Sequence, residues 1–483
     1  MPVTDLHVQY SNRASQWERC RDSFEGTDAI KARMDNYLPR LGGQKPDEYN
    51  AYLLRAMWYG AMGRTVLGLT GSVMRKPPNA EASEALLTHF DDITLTAMDL
   101  PTFTGMLVQE VLTVGRLGLF LDLPKGVIGE APRPVWIKYG AEDITNWRWE
   151  DIKGRRQLTL VVLHEEYEPS SVDIFHRTCV YRYRVLLLVN GVYSVRLYEK
   201  LPENDEYVLT EELIPRVRGA ALDYIPFTFI NAMNLNAEID KPPLLDLVDV
   251  NLSHFRSSAD LEHGRHFTAL PTPYITGAPK ETSLRIGSSV AWAIPSHEAR
   301  VGMLEFTGTG LGALETALES KERMMAVLGA RMLEEQKRAV EAAETHTIRQ
   351  SGESSLLASI ANTISAGMTL VARWHASWVG VTESNLTTVQ LNTDFYGTPL
   401  SPQDLTALLQ AFQGQAISYE TLYYNLERGE LTRPGIVAEI ERAQIENETP
   451  MLDLISPTDS NTAPGSPSSP PAQGAPANAP AKG

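Results

Sequence analysis

Two cysteines, Cys20 and Cys179, are all that the 483 residues contain. Far apart and in different segments, they imply neither a disulfide framework nor a thiolate metal site, and suit a reducing cytoplasm. Positive charge is also scarce: 43 Lys and Arg face 60 Asp and Glu, a net −17, which disfavours a protein that coats nucleic acid by neutralising phosphates. No run of 18 apolar residues occurs, and the opening MPVTDLHVQYSNRASQWERCRD has no basic flank followed by an apolar core. The expectation is therefore neither a membrane span nor a secretory leader. No period of 20 to 50 residues repeats, which disfavours a solenoid. Neither G-x-S-x-G nor a P-loop pattern is present, and His164 in HEEYE lacks the second histidine of a zinc-protease helix.

What is there is an α+β pattern with 43% hydrophobic residues, ample for a buried core in roughly two to four domains. From Asp28 the pattern is helical with breaks: DAIKARMDNYL stops at Pro39, LGGQKP turns, and one long helix resumes from Asp47. In it Tyr52, Leu53, Met57, Ala61, Val66, Leu69 and Val73 keep helical spacing. A second helix follows Pro101 and runs into the strand-like GLFLDL. Residues 135 to 231 alternate and are rich in β-branched side chains, which predicts an antiparallel meander with Asn190-Gly191 as a hairpin turn.

Leu244, Leu245, Val248, Leu252, Phe255, Ala259 and Glu262 mark a long helix ending near His266. A stretch rich in Pro, Gly and short β-like runs then predicts a small β module, after which a helix resumes at Gly312 with Leu314, Leu318, Met325, Leu328 and Met332 as its stripe. The clearest amphipathic pattern runs for over six turns through Leu357, Ile360, Ala361, Ile364, Met368, Val371, Trp374 and Trp378. Such a helix needs neighbours along its length. TTVQLNT then gives a strand, Ser401 caps a helix at Pro402, and two short helices follow. From Ser456 onward Pro, Ser, Ala and Gly dominate, which predicts a disordered tail.

Three groups of residues carry candidate chemistry. Gly308, Gly310 and Ala313 fit G-x-G-x-x-A, the fingerprint of a nucleotide-binding enzyme, but the strand with an acidic end that should follow about 20 residues on is missing. Gly308, Gly310 and Gly312 read better as a hinge where the β module hands over to a helix. His263 and His266 sit three apart near Asp260 and Glu262, a spacing suited to a metal, yet no third ligand converges and polar helix-end residues explain them better. Lys337, Arg338 and Arg349 lie in a charged segment between two helices, either a solvated loop or a DNA-facing one.

Three segments, in order, resemble those of bacteriophage portal proteins of the podovirus and siphovirus type: YLPRLGGQKPDEYNAYLLRAMWYGAMGRTVLGLTGSVMRKPP, PLLDLVDVNLSHFRSSADLEHGRHFTALPTPYITG and RQSGESSLLASIANTI. The resemblance covers about residues 28 to 445. It implies a homo-oligomeric ring, usually of about twelve chains, at one capsid vertex, through which double-stranded DNA is packaged and ejected. Terminase, head-tail adaptors and the major capsid and scaffolding proteins are the implied partners. The implied location is the virion, with the host cytoplasm during assembly, and no catalysis, cofactor, metal or membrane is implied. The same resemblance divides the chain into a wing at 1–242, a first stem helix at 243–266, a clip at 267–311 and a second stem helix at 312–331. A tunnel loop at 332–351 then carries Lys337, Arg338 and Arg349, a long helix and wing strand fill 352–400, a crown 401–455, and the tail 456–483. An acidic wall fits a conduit, because each phosphate contact adds affinity and tight contacts would brake a moving duplex.

Overall fold

The computed structural model describes residues 2–124, 133–152, 154–168, 179–200, 206–269, 272–277, 298–304, 308–332, 355–395, 402–429, 431–433 and 436–455. They fall into two compact units, Met1–Phe395 and Tyr396–Gly483. Lys337, Arg338, Arg349 and the tail at 456–483 lie outside the described residues.

The first unit opens with α1 (Val8–Glu25), α2 (Thr27–Ala32), α3 (Pro46–Arg55), α4 (Ala61–Val73), β1 (Asn79–Glu81), α5 (Glu84–Phe90) and α6 (Leu100–Val114). The long helix expected from Asp47 to Val73 is in fact two, α3 and α4, broken at residues 56–60. The break has tertiary causes: Trp58 packs edge-on against Phe255, Tyr59 lies over His254, and the Met57 N–H donates to Ser258 Oγ at 3.2 Å. Helical spacing through Tyr52, Met57 and Ala61 cannot register that competition. At α6 the Asp99 carboxylate accepts from the Thr102 N–H at 2.9 Å, so the helix begins at Leu100 with Pro101 in its first turn, where the missing N–H does no harm.

The strands are β2 (Arg116–Asp122), β3 (Val135–Gly140), β4 (Ile144–Ile152), β5 (Arg155–Tyr167), β6 (Val180–Val189), β7 (Val192–Lys200), β8 (Tyr207–Leu213), β9 (Arg216–Val217), β10 (Ala220–Ala221) and β11 (Phe227–Asn231). The single expected meander is divided. β4 to β8 form a five-stranded antiparallel sheet in chain order, while β3 leaves to join a separate sheet of order β11-β2-β3. Asn190 (φ 53°) and Gly191 (φ 76°) make the two-residue hairpin between Val189 and Val192, both in the left-handed region such a turn requires.

Two polar networks tie these layers. Arg21 of α1 bonds Glu142 through Nε and Nη2, each at 2.7 Å, and also bonds Glu110 of α6, which takes Lys138 of β3 at 2.9 Å. Burial pushes the Glu110 carboxyl up, but the Arg21 bonds and charge, with Lys138, outweigh it and hold it below its ordinary value. In the second network Glu165 of β5 accepts from Arg182 at 2.8 Å, from Arg184 at 2.7 Å and from the Tyr139 hydroxyl, while Arg184 reaches Asp122 of β2 at 3.2 Å. The two sheets are thus joined by fully partnered charges rather than by apolar contact alone.

The chain continues through α7 (Leu245–Ala269), β12 (Thr272–Thr276), β13 (Arg300–Leu304), α8 (Leu311–Ala330), α9 (Leu356–Val379) and β14 (Thr388–Gln390). α9 is the central core helix. The Ser355 hydroxyl caps it by accepting from the Ala358 N–H at 3.0 Å, and Leu357, Ile360, Ala361, Ile364, Met368 and Val371 are each 0% exposed. The Ser365 and Thr369 hydroxyls of α9 accept from the Leu391 and Val389 N–H groups, both at 2.9 Å, which pins β14 along the helix, and β14 pairs with β1. In the second unit α10 (Pro402–Gln413), α11 (Tyr419–Arg428) and α12 (Ala438–Ile455) bury Leu422 and Tyr423, and the Tyr423 hydroxyl donates to Ile436 O at 2.8 Å.

Candidate functional site: a helix pair closed by a strand pair

α7 and α8 run antiparallel, as their contacts show in order along the pair. Gly264 lies beside Leu311, Arg265 pairs with Glu315 at 2.8 Å, and Lys321 donates to Ser253 O at 3.0 Å and to Ser257 Oγ at 2.6 Å. His254 Nε2 lies 3.3 Å from Glu322, and Gly329 sits against Leu247 and Thr65. At 1.5 Å per residue α7 extends about 37 Å and α8 about 30 Å. Beyond their far end β12 and β13 pair antiparallel, from Thr272 with Leu304 to Thr276 with Arg300.

The two helices are rooted differently. α7 buries Leu245, Leu247, Val248, Asn251, Leu252, His254, Phe255, Ser258, Ala259 and Leu261, then nothing from Glu262 to its end at Ala269. It ends three residues later than the expected His266. α3 braces it: Tyr52 donates to Asp260 at 2.6 Å, and Arg55 lies 3.1 Å from His266 Nε2. Of the twenty residues of α8, Met325 alone is buried, and Met324 and Val327 are about half exposed.

The structure gives the glycine and histidine candidates a place, whereas Lys337, Arg338 and Arg349 lie outside the described residues. Gly308 has φ 65° and lies against Thr268 and Leu311, so the turn into α8 needs a residue that adopts the left-handed region beside close neighbours. Gly310 is the N-cap of α8 in a right-handed conformation and Gly312 is in its first turn, both with open space where a side chain would stand. The nucleotide alternative has lost its setting: among the described residues the strand before these glycines, β13, belongs to an antiparallel pair rather than a parallel sheet. His263 and His266 are on α7, where Tyr52 and Phe267 meet the His263 ring edge-on and Arg55 faces His266. Burial, then Arg55 and His266, lower the His263 pKa, and a neighbouring cation opposes metal binding. Among the described residues no group of three His, Cys, Asp or Glu is placed to hold a metal.

Sequence reasoning missed the cross-links between α7 and α8. Lys321, whose pKa is lowered by burial, and His254, likewise lowered by burial, are 64 and 68 residues from their partners Ser257 and Glu322 in the chain, and no local pattern joins them. It also missed an aromatic cavity of about 310 Å³ between the sheets and α9, lined by Trp149, Tyr224, Phe227, Phe229 and Trp374 among others.

Residues 243–379, from just before α7 to the end of α9, match the family described as a domain of unknown function, DUF4055. No curated protein matches the chain. Among solved structures the chain is similar to one from the virion of a native gene transfer agent (GTA) particle, at 12% identity over 82% of this chain and 98% of that one, with a TM-score of 0.37. It is similar to one from the neck of an empty GTA particle computed with C6 symmetry, at 12% identity over 84% and 99%, with a TM-score of 0.39. A third, from the neck of the native GTA particle computed with C12 symmetry, shares 12% identity over 83% and 98%, with a TM-score of 0.37.

Proposed function

We propose that this chain is the subunit of a portal ring, a structural conduit for double-stranded DNA at one vertex of a phage-type capsid, with no chemistry of its own. In this reading residues 243–266 and 312–331 are the stem, 267–311 the clip, 1–242 and 352–400 the wing, and 401–455 the crown. The segment 332–351 is the tunnel loop, with Lys337, Arg338 and Arg349 towards the duplex, and the ring is the docking site for terminase and head-tail adaptors.

The observation that carries the reading is α8. A helix of twenty residues with one buried side chain is held to its own chain by α7 and, at Gly329, by Thr65 of α4, and its other side is exposed, which suits an element completed by neighbouring copies. The order of the segments supports it: a rooted helix, a strand pair and a returning helix follow one another in the order that the sequence resemblance implies.

Purified protein imaged by negative stain at micromolar concentration should show rings with a central hole, without added nucleotide. Particles that stay monomeric across concentration and salt overturn the reading. The tunnel loop has its own measurement. Lys337→Ala with Arg338→Ala should leave rings intact and lower the yield of DNA-filled heads in a packaging assay, because a ring repeats the lost charges at one level of the channel. An unchanged yield removes the loop assignment and leaves the ring standing.

A further inference from the structure

Resting on the ring reading, we infer that the seam between copies is formed by the outward face of α8 on one chain and the outward face of α7 on the next. On the 3.6-residue repeat, Ala313, Thr316, Ser320, Arg323, Met324, Val327 and Arg331 share the side of α8 turned away from α7, and all are exposed. Its character is small and apolar with two cations. Neither Arg323 nor Arg331 has an ion pair among the described residues; Arg323 bonds only the Glu319 backbone oxygen, at 3.4 Å. The exposed stripe of α7 is of opposite sign: Asp246, Asp249 and Asp260, with Arg256 among them.

Cyclic symmetry fixes how these faces meet. In a closed ring equivalent residues stand at the same height, so with the helix pair set along the ring axis α8 of one copy meets α7 of the next in the same antiparallel register that it keeps with its own α7. That register is measured by Leu247 beside Gly329, His254 beside Glu322 and Gly264 beside Leu311. It brings Arg331 level with Asp246, and Arg323 within about one helical turn of Asp249, inside the reach of an arginine side chain.

It also brings Met324 level with Leu252. There a cavity of about 230 Å³ opens on the edge of the α7 stripe, lined by Glu18, Arg19, Tyr37, Leu252 and Arg256 among others. A half-exposed thioether is suited to fill a hole of mixed polarity, since methionine adapts its shape and pairs poorly with water. Asp246 and Asp249 already meet Lys241 at 2.5 Å and Arg19 at 3.5 Å, but their side chains remain 68% and 53% exposed, so each keeps open acceptor positions for a second cation. The seam is therefore heterologous: one face supplies cations and a methionine plug, the other carboxylates and a hole.

The test is charge reversal in the full chain. Arg323→Glu with Arg331→Glu should shift the midpoint concentration of ring assembly at least tenfold upward in sedimentation velocity at low salt, with the thermal melt of the single chain unchanged. Adding Asp246→Arg and Asp249→Arg to the same chain should restore assembly. Met324→Ser, which leaves all charges in place, should weaken the ring with no change in its salt dependence. Rings that form as before in the double reversal overturn the seam, and so does a loss of rings that the fourfold variant does not restore. If the double reversal keeps its rings but fails to retain DNA in heads, the α8 face lines the channel and the seam lies elsewhere. A wild-type chain that never assembles removes the ring reading itself.

Discussion

α8 and α9 are neighbours in sequence, similar in length and striped with apolar residues, yet they lead different lives. α9 buries 13 of its 24 residues; α8 buries one of 20. α9 is long and apolar enough to cross a bilayer by length and composition, but its apolar face is covered by β11, β2, β14 and α6 of its own chain. Among the described residues the stripe of α8 is covered by α7 and, near Gly329, by α4. A helical stripe in a sequence thus states that a face must be buried, and leaves open whether the same chain or another buries it. Substitutions in α9 should act on folding, whereas those on the outer face of α8 should act on assembly.

The largest test of that division is Ile364→Asp. Ile364 is 0% exposed within α9, and a carboxylate there has no cation partner, so the fold should lose about 4 kcal/mol or more, read as a collapse of the urea midpoint. An equivalent loss from Met324→Asp on α8 would erase the comparison.

A second test uses the one histidine in α9. His375 is 0% exposed; it accepts the Trp136 indole N–H at Nδ1, 3.1 Å, and Nε2 lies 3.0 Å from His89 Nδ1. Since an indole only donates, the His375 proton sits on Nε2 and is given to His89. Burial, then the neighbouring His89 and the Arg133 guanidinium, push the His375 pKa from 6.5 down to about 3. The folded chain therefore keeps this imidazole neutral while the unfolded chain takes up a proton below pH 6.5. Its contribution is complete above pH 6.5 and is lost as pH falls towards 3, at about 1.4 kcal/mol per pH unit. Urea midpoints should drop between pH 6.5 and 4.5, and His375→Gln should flatten that drop. A variant with the same acid slope as the parent would assign the slope to other groups.

The smallest effects lie at the start of α8. Gly308→Ala should cost about 1 kcal/mol, since φ 65° is unfavourable for any side chain. Gly312→Ala, in a right-handed turn with open space, should gain about 0.5 to 1 kcal/mol. Thermal melts of the two variants should move in opposite directions; movement in the same direction would show that the three glycines act as one hinge.

The parts of the fold legible in sequence are those set by local spacing. Leu357, Ile360, Ala361, Ile364, Met368 and Val371 name the buried face of α9, and Asn190-Gly191 names its hairpin, because both signals reside within a few residues. The break between α3 and α4 was not legible, since it depends on Trp58 and Tyr59 reaching Phe255 and His254 about two hundred residues away. Nor was the division of the β layer, because β3 pairs with β2 and β4 with β5, and the choice of pairing partner leaves no local mark in either strand. At the candidate site the helices could be read, but the register between α7 and α8 could not, as it is fixed by Lys321, His254 and Gly264 across the intervening strand pair.

The unequal rooting of α7 has a mechanical consequence. The helix is buried from Leu245 to Leu261 and beyond that is braced by α3 only through Tyr52 at His263 and Arg55 at His266 among the described residues, so the strand pair rides on an arm whose fixed end lies among α1, α3 and α4. Along this arm the surface pairs of Arg265 with Glu262 and Glu315 add to its bending stiffness. Such pairs are screened by mobile ions within about 10 Å at 0.1 M salt. The arm should therefore soften as ionic strength rises, while its clamped base, held by apolar packing, keeps its rigidity.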